Sequence, residues 1–184
     1  MGLRETKKAK TRKLISDIAC ELFLERGYAN VTTAEVAKKA EVAVTTLFNY
    51  FPTKESLIFD REEEYDKDIL AAVRNRKKGQ TILDGLHKYF LESGLFNPPN
   101  KKIAAEFMKL IKSSPELSVY FRAMWSRYEH TLAREIHNEA GVSKTEAECI
   151  AKLVLEGVSF ASNSSSPKEA LNLTFKVLKN GWNK

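Results

Sequence analysis

The amino-acid sequence predicts an all-α protein, and three observations support that class. Apolar residues recur three or four positions apart through most of the chain, which is the spacing of one face of a helix. Thr or Pro residues stand where several of these periods begin, as they do at helix N-termini. Gly and Pro residues separate the periods, for example at Gly27, Pro52 and Gly141. The chain has 184 residues, of which 43% are hydrophobic and 29% charged, the composition of a folded protein with a core.

The first predicted helix runs from about Lys8 to Arg26, and Gly27 ends it as a C-cap. Its apolar stripe consists of Leu14, Ile15, Ile18, Ala19, Leu22 and Phe23. The stripe carries no reactive group. We therefore interpret it as core that supports two shorter helices, which are too small to fold alone.

The stretch from Thr32 to Lys54 predicts those two short helices, joined by a tight turn. Thr32 and Glu35 have capping-box spacing, in which a hydroxyl and a carboxylate each accept a bond from a free backbone N–H. Glu41-Val42 then interrupts the period. On the second helix Ala43, Leu47 and Phe51 fall four apart on one face. The opposite face has Thr45, Phe48 and Asn49, with Val44, Thr46 and Tyr50 beside them.

Hydroxyls, an amide and aromatic rings on an outward face indicate that something docks there. A helix of about two turns has the size of a DNA major groove. The segment Val42 to Thr46 is also rich in β-branched residues, which are typical of a strand. We favour the helix, because Leu47 and Phe51 continue a helical spacing and no partner strand is visible nearby.

One set of residues in this stretch resembles a known family. The set is Ala37, Ala40, Val42, the runs Thr46-Leu47-Phe48 and Tyr50-Phe51, Lys54 and Leu57. Its spacing resembles the helix-turn-helix of the tetracycline-repressor (TetR) family of transcriptional regulators, over about the first third of the chain. The resemblance implies an N-terminal three-helix, helix-turn-helix DNA-binding domain and a C-terminal helical domain for ligand binding and dimerisation. It also implies a homodimeric repressor that binds a palindromic operator in double-stranded DNA and is released by a small-molecule effector.

The turn departs from the family's pattern at two positions. Glu41 stands where the family usually has glycine, and Ala43 where it usually has a serine cap. We expect Glu41 either to take a left-handed conformation at some cost or to lie in a slightly different turn. The missing side-chain cap at Ala43 weakens the helix by about 1 kcal/mol.

The outward face and the resemblance together predict the residues that contact DNA. Those predicted to face the bases are Val44, Thr45, Phe48 and Asn49. Those predicted to hold phosphates are Thr33, Thr46, Tyr50 and Lys54, and a basic arm adds Lys7, Lys8 and Lys10. Val44 and Thr45 can touch thymine methyls, and Asn49 can pair bidentately with adenine.

The net charge of +6 is concentrated beside this stretch. Residues 1–13 contain six Lys or Arg and one acid, a net charge of +5. A basic run of this kind is often only a solvated tail. Beside a reading helix, however, such residues can neutralise phosphates and release counterions, or enter the minor groove.

The sequence predicts three parts: residues 1–54 as the basic arm and DNA-binding domain, 55–78 as a connecting helix, and 79–184 as the effector-binding and dimerisation domain. The connecting helix is predicted from Lys54 towards Arg76, capped by Thr53, with its first N–H groups and Lys54 forming a phosphate site. Further helices are expected over about 80–96, 101–112, 115–138, 144–161 and 167–182.

The last two helices carry wide apolar stripes. Packing within the chain is one interpretation of them. The family resemblance implies instead that they pair with a second copy, and Gly157 would permit close helix approach. The predicted dimer interface is Leu153, Val154, Gly157, Val158, Leu171, Phe175 and Leu178.

Large side chains gather in the middle of the C-terminal part. Plain core is one interpretation of such Met and aromatic residues. The resemblance implies an effector cavity here, lined by Phe90, Phe107, Met108, Phe121, Met124, Trp125 and Tyr128. Its polar groups would come from Tyr89, Arg122, Arg127 and His130.

Other functions have little support in the sequence. It contains neither G-x-G-x-x-G nor a phosphate-binding G-K-[ST]. His130 and His137 lie seven apart, yet without a Cys or a carboxylate pair nearby they do not indicate a metal. We predict a protein that is not an enzyme and needs no cofactor. The alternatives are a helical enzyme and a partner-binding scaffold without sequence-specific DNA binding.

The sequence also predicts a cytoplasmic protein. No apolar stretch approaches the roughly 20 residues of a membrane span, and the N-terminus lacks the apolar core of a signal peptide. Cys20 and Cys149 lie in amphipathic patterns, as expected of thiols in a reducing compartment.

Overall fold

The computed structural model describes residues 2–182. Within that range the chain forms nine α-helices and no strand, which confirms the all-α prediction. The helices are α1 (Leu3–Arg26), α2 (Thr33–Lys39), α3 (Val44–Tyr50), α4 (Glu62–Arg74), α5 (Ile82–Glu92), α6 (Lys101–Ser113), α7 (Pro115–Ala140), α8 (Lys144–Ser162) and α9 (Pro167–Asn180). None of these helices combines the length and apolarity that a bilayer span requires.

The chain divides into two compact units. The first contains the described residues up to Glu62 together with Lys102–Arg122. The second contains Glu63–Lys101 and the described residues from Ala123 onward. The domain boundaries expected at residues 54 and 78 stay a prediction.

The core of the first unit is formed by α1, α2 and α3. Ile15, Phe23, Val36 and Leu47 are fully buried in it. Helices α2 and α3 have seven residues each, too few for stable isolated helices. Burial of a side chain such as Leu47, worth about 1.5–3 kcal/mol, is therefore what keeps α3 folded.

The turn between α2 and α3 is a Schellman motif built around Glu41. Glu41 has φ of 55°, so it takes the left-handed conformation that was one of the two expected outcomes. Its N–H donates to the Lys38 carbonyl at 3.2 Å, and the Val42 N–H donates to the Ala37 carbonyl at 3.0 Å. These bonds satisfy carbonyls at the end of α2. Ala43 is the N-cap of α3 and provides no side-chain bond, as predicted.

The prediction of a single helix from Lys54 towards Arg76 is wrong. The structure has a 3₁₀ turn at Glu55–Leu57 and begins α4 only at Glu62. Thr53 and Ser56 bond each other's backbone N–H groups at 3.3 and 3.2 Å, which favours a tight local turn over a continuous helix. Ile58 and Phe59 then bury their side chains.

Helix α1 begins at Leu3 and not near Lys8. The Glu5 carboxylate accepts a bond from the Gly2 N–H at 3.1 Å, which extends the helix start towards the N-terminus. The predicted arm residues Lys7, Lys8 and Lys10 therefore lie on a helix, with exposed side chains.

In the second unit, α8 and α9 form a hairpin across the short connection 163–166. Val154, Val158, Leu171 and Phe175 are fully buried. Gly157 is packed so closely on α9 that a Cβ atom there would overlap the Thr174 Cγ2 methyl. The close helix approach expected of Gly157 is thus found inside one chain.

Candidate nucleic-acid interface

The outward face of α3 is as the sequence predicts. Leu47 is completely buried, whereas Val44 and Phe48 are 40% and 43% exposed. Thr45 and Asn49 are also exposed. The structure therefore places the four predicted base-contact side chains together on the free side of a helix of two turns, the shape that fits a major groove.

The start of α2 is fixed by the predicted capping box. The Glu35 N–H donates to the Thr32 hydroxyl at 3.2 Å, and the Thr32 N–H donates to the Glu35 carboxylate at 2.7 Å. Arg26 lies 3.0 Å from the same carboxylate. The Thr32 hydroxyl also donates to this carboxylate, at 2.9 Å. The bonds that the Thr32 N–H, the Thr32 hydroxyl and Arg26 donate to it lower the pKa of Glu35 to about 2. Thr33, the predicted phosphate contact beside this cap, is half-buried at the first position of α2.

Lys54 packs against Tyr28. Its ammonium donates to the Tyr28 carbonyl at 2.7 Å and lies 4.1 Å from the centroid of the Tyr28 ring. The Tyr28 hydroxyl in turn donates to Glu55 at 2.7 Å. Burial lowers the pKa of Lys54. An ammonium has three donors, so the bond to Tyr28 leaves capacity for a phosphate. The helix N-terminus expected at Lys54 is replaced by the 3₁₀ turn.

The role of Arg12 was not predicted from the sequence, where Arg12 was considered only as one member of the basic run. Its Nη1 donates to the carbonyl of Tyr50, the last residue of α3, at 2.7 Å. Its Nε lies 2.5 Å from the Asp60 carboxylate, and its guanidinium carbon lies 4.4 Å from the centroid of the Phe51 ring. A signal was available, because Arg12 falls in register with the buried Ile15 and Ser16 of α1.

Comparison with known proteins identifies this arrangement. The profile of bacterial regulatory proteins of the tetR family matches residues 15–60, which run from α1 past α3 to Asp60. Residues 15–60 therefore belong to the TetR family. Over 49 residues it is 43% identical to the HTH-type transcriptional regulator LuxR of Vibrio harveyi, covering 27% of this chain and 24% of LuxR.

Two further TetR-family comparisons extend beyond the helix-turn-helix. The HTH-type transcriptional regulator TcmR of Streptomyces glaucescens is 29% identical over 77% of this chain, and the match spans 65% of TcmR. The structure of Thermus thermophilus FadR, a TetR family transcriptional repressor in complex with lauroyl-CoA, has a TM-score of 0.61 at 22% identity. It covers 94% of this chain and 95% of FadR, and this likeness shows the TetR fold. Because TetR-family relatives are transcriptional regulators, the prediction of a protein that is not an enzyme is confirmed.

The residues predicted to line the effector cavity are divided between the two compact units. Phe107, Met108 and Phe121 belong to the first, and Phe90, Met124, Trp125 and Tyr128 to the second. Phe90, Met124 and Tyr128 are buried, and the Trp125 and Tyr128 rings pack edge to face, 5.9 Å apart. This packing favours the core interpretation for these three residues and for Trp125. The cavity itself stays a prediction.

The second unit also has an open cleft of about 430 Å³. Its apolar walls are Ile82, Leu83, Ile136, Ala140, Ile150 and Leu178, and its polar rim is Arg76, Gln80 and Thr81. Of these residues, Leu178 was predicted as part of the dimer interface. Arg76 is already bonded to Glu139 at 3.0 Å, so the polar rim is largely satisfied within the chain.

The predicted dimer residues fall into two groups. Val154, Val158, Leu171 and Phe175 are fully buried within one chain and have no surface left for a partner. Leu153 is 53% exposed, and Gly157 and Leu178 are half-buried. Three exposed apolar residues of α8 and α9 were not predicted for this interface: Phe160, Leu173 and Val177.

The described residues offer no metal site of three or more His, Cys, Asp or Glu side chains. His137, one of the two histidines weighed for this role, has its Nδ1 atom 2.7 Å from the Val142 carbonyl.

Proposed function

We propose that this TetR-family chain is a homodimeric repressor that binds a palindromic operator and blocks transcription from it. The observation that carries the proposal is α3, which buries Leu47 and presents Val44, Thr45, Phe48 and Asn49 outward. A face of this kind has no use within the chain, and its size and chemistry suit the edges of base pairs. A regulator that binds chromosomal DNA would act in the cytoplasm.

The side chains of α3 divide the work of recognition. Asn49 can pair bidentately with adenine, and the methyl groups of Val44 and Thr45 suit the thymine methyl. Thr33, Thr46, Tyr50 and Lys54 would hold phosphates and so fix the register. Lys7 and Lys8 would add charge from the first turns of α1, as part of a helix and not as a free arm.

A second copy would pair through α8 and α9. The exposed apolar side chains Leu153, Phe160, Leu173 and Val177 lie on this hairpin, and an apolar surface of this kind marks an interaction site. Two-fold pairing would place two reading helices about 34–36 Å apart on a nearly palindromic site.

A small molecule would release the protein from its operator. The cleft of about 430 Å³ has the size of ligand pockets, which is about 300–1,000 Å³, and the aromatic effector cavity predicted from the sequence is the other candidate site. A thermal-shift screen would identify the molecule, because a ligand of the folded state raises the melting temperature. Loss of the shift in Ile150→Phe would assign the cleft, and its retention would favour the aromatic site.

The test of the DNA-binding role is selection from random duplexes, followed by Asn49→Ala. We expect the wild-type protein to select a palindrome. The variant should lose preference at one base pair of each half-site by about 1–3 kcal/mol. Equal weakening at every sequence would show that Asn49 does not read a base. Failure of the wild type to select any sequence would overturn the proposal.

A further inference from the structure

One guanidinium holds the C-terminal end of α3. We propose that Arg12 is a positioning residue for base readout: it fixes the orientation of the reading helix and does not contact phosphate. The inference rests on the proposed function, in which α3 enters the major groove. It assigns to Arg12 a role distinct from that of the other basic residues near the N-terminus.

The contacts of Arg12 tie three separate segments together. Arg12 lies on α1, and its Nη1 donates to the Tyr50 carbonyl at 2.7 Å. Tyr50 is the last residue of α3, so this carbonyl has no partner within the helix. On its other side, Arg12 reaches both the carboxylate of Asp60 at 2.5 Å and the carbonyl of Asp60 at 3.4 Å.

The geometry requires arginine. Its planar fork offers five donors in fixed directions, whereas a lysine ammonium is a point charge that cannot span the two segments in the same way. The flat face of the guanidinium also packs on Phe51, 4.4 Å from the ring centroid, as arginine does on aromatic rings. Its positive charge at the C-terminus of α3 is favourable for the helix dipole.

The Asp60 side of this contact is itself firmly anchored. Phe59, the preceding residue, is buried and stacks on Tyr120 with ring centroids 5.2 Å apart and planes 9° apart. The rings of Phe107 and Phe121 lie 6.3 and 6.0 Å from that of Phe59. Arg12 therefore connects α3 to a packed aromatic cluster and not to a free loop.

The charge of Arg12 is largely neutralised by Asp60 within the chain. Lys7 and Lys8, by contrast, are exposed on the same helix. A phosphate contact releases counterions and appears in the salt dependence of binding. Arg12 should therefore contribute to sequence discrimination while leaving that salt dependence unchanged.

The first experiment compares Arg12→Lys and Asp60→Asn with the control Lys13→Ala. Lys13 is the neighbouring basic residue, whose ammonium lies 2.7 Å from the Asp17 carboxylate on the exposed side of α1. Affinities for the selected operator and for a non-specific duplex are measured over a series of salt concentrations. Arg12→Lys retains the charge and breaks the fork, and Asp60→Asn removes the carboxylate charge while keeping the main-chain carbonyl.

We expect both variants to lower the ratio of specific to non-specific affinity about tenfold, the size of one mismatched base pair. Arg12→Lys, which retains the positive charge, should also leave the salt slope unchanged. Lys13→Ala should keep the wild-type ratio. An unchanged ratio in Arg12→Lys, an equal loss on both duplexes, or a salt slope lower by about one unit would each overturn the proposal.

Amide hydrogen exchange of the free protein provides a second readout that does not require DNA. In Arg12→Lys, protection of the amides near the end of α3, from Leu47 to Phe51, should fall about tenfold relative to α2, as expected when a local anchor is lost. Unchanged protection there would refute the anchoring role even if DNA binding is confirmed. If the wild type binds no duplex, the proposed function fails, while the exchange result still decides whether Arg12 holds α3.

Discussion

Gly157→Ala tests how closely α8 and α9 pack in each chain. An added Cβ atom would overlap the Thr174 Cγ2 methyl, so Thr174 or its helix must move. Overpacking of this kind costs about 1–3 kcal/mol. Replacing glycine by alanine within a helix raises the free energy of unfolding by about 0.8–1.0 kcal/mol through helix propensity. We therefore expect a net loss of roughly 0–2 kcal/mol in the free energy of unfolding.

The sharper form of this test repeats the substitution in a Thr174→Ser background. Serine lacks the Cγ2 methyl, so the overlap disappears and only the helix-propensity gain remains. Gly157→Ala should then stabilise the protein by up to about 1 kcal/mol. The effect of one substitution thus reverses sign with the neighbouring residue, which is a coupling between residues in contact.

The measurement is urea unfolding of the four proteins of this cycle, each at two protein concentrations so that any dimer contribution is seen. Equal effects of Gly157→Ala in the two backgrounds would refute the close packing of Gly157 on Thr174. A coupling that appeared only at high protein concentration would place Gly157 at the interface between copies.

Three further predictions concern the DNA-binding unit and the dimer surface. Lys54→Met should lower thermal stability, because the Tyr28 carbonyl loses its donor, and should lower the salt slope of binding by about one unit; an unchanged slope would remove Lys54 from the phosphate contacts. Glu35 has its pKa lowered from 4.5 to about 2, so its stabilising effect is complete above pH 4.5 and is lost as the pH falls towards 2. The difference in urea midpoint between wild type and Glu35→Gln should therefore shrink on acidification, and a constant difference would contradict the capping role. Leu173→Glu, at a side chain that is 60% exposed, should leave a folded monomer in sedimentation analysis, whereas an intact dimer would exclude this face.

Local sequence patterns were sufficient for the helix-turn-helix. The capping box of Thr32 and Glu35, the uncapped Ala43 and the outward face of α3 all depend on residues within four positions of one another. The break before α4 was not predictable in full from local patterns, because it combines the local Thr53–Ser56 turn with the packing of Phe59 against Tyr120, far along the chain.

Two parts of the candidate site required the structure for the same reason. Arg12 contacts residues 38 and 48 positions away, and a run of basic residues gives no sign of such partners. An apolar stripe on a helix indicates that this face is buried, but it does not identify the residues that cover it. Val154 and Phe175 are covered within the chain, whereas residues such as Phe160 on the same hairpin are exposed.

Footprinting on the selected duplex, combined with the mass of the complex, tests the central claim most directly. Two chains per duplex should protect two segments on one side of the DNA, with centres one helical turn or a small multiple of it apart. A single protected segment, one chain per duplex, or no preference for any duplex at low salt would contradict a paired reading helix.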